Sequence, residues 1–83
     1  MMLMRKIDRG LYEIIDEFSN NYRIEDGNRP EPQYDRPEWE SKNLRWGIFE
    51  QSEGEWVFLD GNPTMKDCLG VIETWAAASQ LGT

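Results

Sequence analysis

The chain contains no histidine and one cysteine among 83 residues. Without histidine it lacks the commonest general base and the commonest metal ligand. Ser-His-Asp and Cys-His catalysis within the chain are excluded on the same ground. One cysteine, Cys68, excludes an internal disulfide and a thiolate zinc cluster. It falls in an apolar periodic stretch and reads as a buried small hydrophobe, not a reactive thiol. No apolar run approaches the ~20 residues that span a bilayer. Near the start, the apolar residues precede Arg5 and Lys6, and Asp8 follows at once. A secretory leader has the opposite order, so the sequence predicts a cytoplasmic protein.

Positive charge is also scarce. Nine basic residues face sixteen acidic ones, for a net charge of −7. Direct nucleic-acid binding depends on Lys and Arg neutralising phosphates, and anionic membrane surfaces make the same demand. Neither partner is expected. The chain has no glycine-rich phosphate loop, no dinucleotide fingerprint, no HExxH and no EF-hand spacing of acids. The expectation is a protein without catalytic residues, cofactor or metal.

What is present suits one small domain, residues 1–83. A chain of this size buries roughly 64% of the surface its unfolded form exposes, enough for one thin core. Hydrophobic residues make up only 39%, but aromatics reach 12%. Each buried aromatic removes about 150–250 Å² from water, which offsets the shortage of aliphatics.

The pattern predicts a small α+β domain. Leu3, Met4, Ile7, Leu11, Ile14, Ile15, Phe18 and Tyr22 recur at spacings of three and four, which predicts an amphipathic N-terminal helix over about 3–21. Gly10 weakens that helix. Residues 24–42 read as a long irregular acidic loop, because Glu25-Asp26-Gly27-Asn28 is turn chemistry and Pro30, Pro32 and Pro37 oppose regular structure. Residues 43–60 read as an antiparallel hairpin, joined by a third strand if residues 22–25 pair with it.

The hairpin register is open at this stage. A three-residue loop, Ser52-Glu53-Gly54, places Trp46, Ile48, Trp56 and Phe58 on one face. A two- or four-residue loop instead groups Trp46 and Ile48 with Val57 and Leu59, leaving Phe49, Trp56 and Phe58 opposite. Either way both faces are apolar and both need cover. Residues 63–81 read as a C-terminal helix packed on the sheet, capped by Asn62 or Thr64.

Two constellations stand out as a binding surface. Tyr34, Asp35, Glu38, Trp39 and Glu40 interleave aromatics with acids in the long loop. Aromatic and charged side chains of this kind anchor interfaces, although Tyr34 and Trp39 could equally pin the loop to the core. Glu50, Glu53 and Glu55 cluster around the hairpin turn. Together they predict a small acidic module that inhibits or modulates a larger basic protein, or a protein–nucleic-acid complex, by occupying its phosphate-binding track. Phage anti-defence proteins and the antidotes of nuclease toxins share this composition as a class. The alternative is a structural or adaptor subunit, a homodimer built on the second apolar hairpin face.

Overall fold

The computed structural model describes residues 2–30, 32–34 and 44–81, with side chains to residue 78. Five strands and one helix follow in order: β1 (Leu3–Asp8), β2 (Leu11–Ile15), β3 (Asn21–Asp26), β4 (Trp46–Ser52), β5 (Glu55–Asn62) and α1 (Met65–Leu81). The strands form a single antiparallel meander in chain order. The fold is therefore mostly β, which corrects the expected α+β arrangement of an N-terminal helix and a two-stranded hairpin.

The expected helix over 3–21 is a β-hairpin, β1–β2. Asp8 pairs with Leu11, and Gly10 turns the chain at φ +75. A side chain at Gly10 would press on Arg29 Cγ at 3.0 Å and Asp26 Cβ at 3.1 Å. The glycine is thus a turn residue and a close-approach residue, not a helix defect. Strand alternation was masked because Glu13 sits buried between Leu11 and Ile15 on one face of β2. A carboxylate in an apolar row reads as a polar face until its partners are known.

The segment expected to be irregular from residue 24 continues β3 to Asp26, so 22–25 does contribute a strand. The expected loop is shortened accordingly. The β4–β5 hairpin and the C-terminal helix lie where the sequence placed them. Ser52 pairs with Glu55 across a two-residue turn. Glu53 and Gly54 both take positive φ, 52 and 83, which matches the right-handed twist of the strands. This selects the register with Phe49, Trp56 and Phe58 on one face. Leu59 is the extra residue of a bulge opposite Ile48 and Phe49.

Helix α1 covers one face of the sheet. Ile14, Tyr22, Ile24, Ile48, Cys68 and Ile72 form the core there, with Trp46, Met65, Leu69 and Trp75 packed around them. Cys68 is fully buried and its thiol lies 3.7 Å from the Trp46 carbonyl. Thr64 caps the helix, its hydroxyl accepting the Asp67 amide at 3.1 Å. On the opposite face Leu11, Tyr34 and Phe49 are buried together, with Trp56 and Phe58 against them.

The β2–β3 connection is organised by Asp16. Its carboxylate accepts the amides of Phe18 and Asn20 at 2.9 Å and the Asn20 side chain at 3.0 Å. Burial alone would raise its pKa; the Asn20 and Phe18 donors outweigh that and hold it below the usual value.

A carboxyl whose folded pKa is depressed stabilises above its unfolded value of about 3.9 and loses that contribution as pH falls through the folded value. Asp16→Ala should therefore cost about 1–3 kcal/mol at neutral pH and flatten the loss of stability below about pH 4. Urea titrations from about pH 2 to pH 7 would show this. Gly70 lies exposed on α1 with no atom within 4 Å of where a Cβ would sit. Gly70→Ala should stabilise by about 0.5–1 kcal/mol in the same assay.

Candidate functional site: an acidic hairpin edge

Carboxylates divide into two populations. The first is internal. Glu25 has no exposed surface, and it accepts hydrogen bonds from Arg29 Nη1 at 2.9 Å and from the amides of Gln33 at 2.7 Å and Tyr34 at 3.3 Å. Asp26 is gripped by Arg45 through Nε at 2.7 Å and Nη2 at 2.6 Å, and it accepts the Asn28 amide. This two-pronged geometry is the strong form of the ion pair. Arg29 reaches on to Asp8 at 3.0 Å. Glu13 lies between Arg5 at 3.1 Å and Arg23 at 2.9 Å. The Arg23 guanidinium in turn stacks over Trp56, 4.7 Å from the ring centroid.

A cleft of about 580 Å³ opens at the β1–β2 turn, lined by Asp8, Arg9, Gly10, Asp26, Asn28, Arg29, Pro30 and Arg45. Both of its carboxylates are held by arginines. Among the described residues no group of three or more His, Cys, Asp or Glu is placed to hold a metal ion. Among them, too, no helix is long and apolar enough to cross a membrane.

The second population faces outward. Residues 46–81 contain six acids and one base, Lys66, for a net charge of −5. Among the described residues Glu50, Glu53, Glu55, Asp67 and Glu73 form no ion pair. Glu53 is in the β4–β5 turn and Glu55 opens β5, both exposed. Glu50 is half-buried, paired across the ladder with Tyr22 and Val57. Burial raises the Tyr22 pKa, and the negative charges of Asp16 and Glu50 raise it further. Beside these acids runs β5, which among the described residues has β4 on one side and no strand on the other. Val57 and Leu59 are exposed along it. The turn and the free edge of β5 thus combine carboxylates, open backbone groups and two apolar side chains.

Of the residues singled out in the sequence, Glu50 and Glu55 share one face of the β4–β5 hairpin and Glu53 lies in its turn. Tyr34 is placed elsewhere. It is 8% exposed and packs on Phe49 and Trp56, with ring centroids 5.1 and 5.6 Å away. Burial pushes its hydroxyl pKa up, while the neighbouring Arg23 pulls the other way. Its role in the described structure is to pin the chain onto the sheet. Asp35, Glu38, Trp39 and Glu40 lie outside the described residues. Sequence reasoning missed Glu25, Asp26, Arg29 and Arg45, whose polar types look like turn surface. The available signal was the strand alternation of Tyr22, Ile24 and Asp26 against Arg23 and Glu25.

No family model, curated protein or solved structure matches the chain.

Removing one partner of a buried ion pair costs about 3–5 kcal/mol because the other is left uncompensated. Glu25→Ala should destabilise by that order, since Arg29 and two amides lose their acceptor. Loss of the Tyr34 contacts should appear with it as increased tryptophan accessibility to a fluorescence quencher. A destabilisation below about 1 kcal/mol would contradict this account.

Proposed function

We propose that the chain is a small, non-enzymatic protein-binding module. Its acidic hairpin edge docks on the basic site of a larger cytoplasmic protein that handles nucleic acid, and inhibits or modulates it. The observation that carries this reading is the segregation of charge. Arg5, Arg23, Arg29 and Arg45 neutralise carboxylates in the β1–β3 half. The β4–β5–α1 half keeps a net −5 with one lysine. A protein soluble through scattered charge would not need this separation.

The arrangement is suited to the task. Uncompensated carboxylates on one side create a field that steers a cationic groove towards that side. Glu53 and Glu55 extend from a rigid two-residue turn, so little ordering entropy opposes contact. Spaced carboxylates resemble a phosphate track to a site that evolved for one. Val57 and Leu59 supply apolar area alongside. An antidote or an anti-defence protein would act in this way, by occupying the groove its target uses.

Charge reversal at the exposed positions provides the test. The double variant Glu53→Lys, Glu55→Lys leaves the buried ion pairs untouched. Wild-type and variant chains are used as bait in lysate of the source cells, at about 50 mM and about 500 mM salt, where screening differs several-fold. A basic protein retained by wild type at low salt, weakened at high salt and lost with the variant is the expected result. With that protein purified, the variant should lower the association rate at least tenfold while leaving thermal stability within a few degrees. Equal recovery by both baits, or association rates unchanged by the reversal, would sink the reading.

A further inference from the structure

We propose that the free edge of β1 is a self-association edge, at which β1 pairs antiparallel with β1 of a second copy about a two-fold axis at Met4. The result is one continuous ten-stranded sheet with an acidic hairpin edge at each end.

The strand is open in a way no other strand is. All six residues are exposed, with Leu3 at 62%, Met4 at 54% and Ile7 at 39%. Among the described residues β1 pairs with β2 on one side and with no strand on the other. It contains no proline, and its one bulge lies at the far end, between Lys6 and Asp8. Natural sheets blunt such an edge or use it. β5 is blunted by a bulge and by Glu53 and Glu55 around its start. The stretch Leu3–Lys6 has no bulge, and of its two charges Arg5 is held by Glu13 within the chain, which leaves Lys6 as its one guard.

Electrostatics selects the occupant. Two copies of a chain of charge −7 repel each other through their acidic halves. The edges of a five-stranded sheet are about 19 Å apart, at about 4.8 Å per strand. That exceeds the screening length of about 8 Å at physiological ionic strength. Among the described residues β1 is the edge remote from the acids of β4 and β5, and its own acid, Asp8, is bound by Arg29. Pairing there keeps the two acidic halves at opposite ends of the assembly. Pairing through β5 would bring them together.

The register is self-complementary. In an antiparallel pair, directly opposite residues share a face. Centred on Met4, each Leu3 faces Arg5 of the second copy, and Met4 faces Met4. Leu3 then packs on the aliphatic stem of an arginine whose guanidinium is already held by Glu13 at 3.1 Å. No cation stands opposite a cation. Centring on Arg5 would place two guanidiniums face to face, which disfavours that slip. An isologous contact of this kind closes at two copies and leaves no β1 edge for a third.

Sedimentation velocity on the full chain, from about 5 µM to about 1 mM, tests the proposal over the range of weak to moderate affinity. Wild type should shift from monomer to dimer across that range. Met4→Lys, which places two ammoniums on the axis, and Leu3→Lys, which opposes Arg5, should each weaken the dimer at least tenfold with an unchanged circular dichroism spectrum. Met4→Cys should form a disulfide dimer on mild oxidation, because Cys68 is buried and the axis brings two introduced thiols together. This readout holds even if a lysine variant fails to fold. A chain monomeric up to about 1 mM overturns the proposal. So does a dimer unaffected by both lysine variants, or one abolished by Glu55→Lys instead.

Discussion

A carboxylate without solvent is tolerable only when donors replace the water it has lost. Glu25 occupies that position, and the organisation of one end of the sheet follows from its needs. Arg29 supplies the countercharge, and the amides of Gln33 and Tyr34 supply the remaining bonds. Meeting these demands brings Arg29, Gln33 and Tyr34 onto the sheet and sets Tyr34 against Phe49 and Trp56. It also brings Arg29 under the β1–β2 turn, where it holds Asp8 and fills the space that a side chain at position 10 would take. One buried charge thus couples a turn, a loop and an aromatic cluster.

The same economy gives the molecule its polarity. Among the described residues Arg5, Arg23, Arg29 and Arg45 are held by Glu13, Glu25 and Asp26, and the side chains of Arg23 and Arg29 are largely buried. Among the described residues, acids without an ion pair are concentrated on β4, the β4–β5 turn, β5 and α1. The two edges of the sheet consequently differ in chemistry: one has acids at its turn, the other mixes exposed Leu3, Met4 and Ile7 with Arg5, Lys6 and Asp8. A sheet with unlike edges can meet two kinds of neighbour without confusing them.

Legibility in the sequence followed how local each determinant is. The β4–β5 hairpin was readable because Glu53-Gly54 is hairpin chemistry between runs rich in aromatic and β-branched residues. The C-terminal helix was readable from its cap and its alanines. The β1–β2 hairpin was not, because Leu3, Ile7, Leu11, Ile14 and Phe18 also satisfy helical spacing. The competing cue was Gly10 at a turn, and its weight is clear only when Arg29 is seen beside it. Glu13 and Glu25 were misread for a related reason. Their burial depends on Arg23 and Arg29, partners ten and four residues away across strands or turns. The acidic cluster at Glu50, Glu53 and Glu55 was legible as a cluster. Its lack of an ion pair among the described residues was not, since that depends on where the arginines go.

The meander has a kinetic corollary. Each strand pairs with its neighbour in sequence, so most of the sheet closes through short loops. Topologies rich in such local contacts fold quickly. The exception is the link between Asp26 and Trp46, the longest connection in the chain. Loop-closure entropy grows only slowly with length, but it must be met before β3 and β4 can reward it. The two hairpins on either side can form independently, and the pairing of β3 with β4 is then the step that joins them. The ion pairs of Glu25 and Asp26 sit at this junction, one of them reaching across it to Arg45. Charges that hold the finished fold together are thereby placed where they can also shorten the search for it.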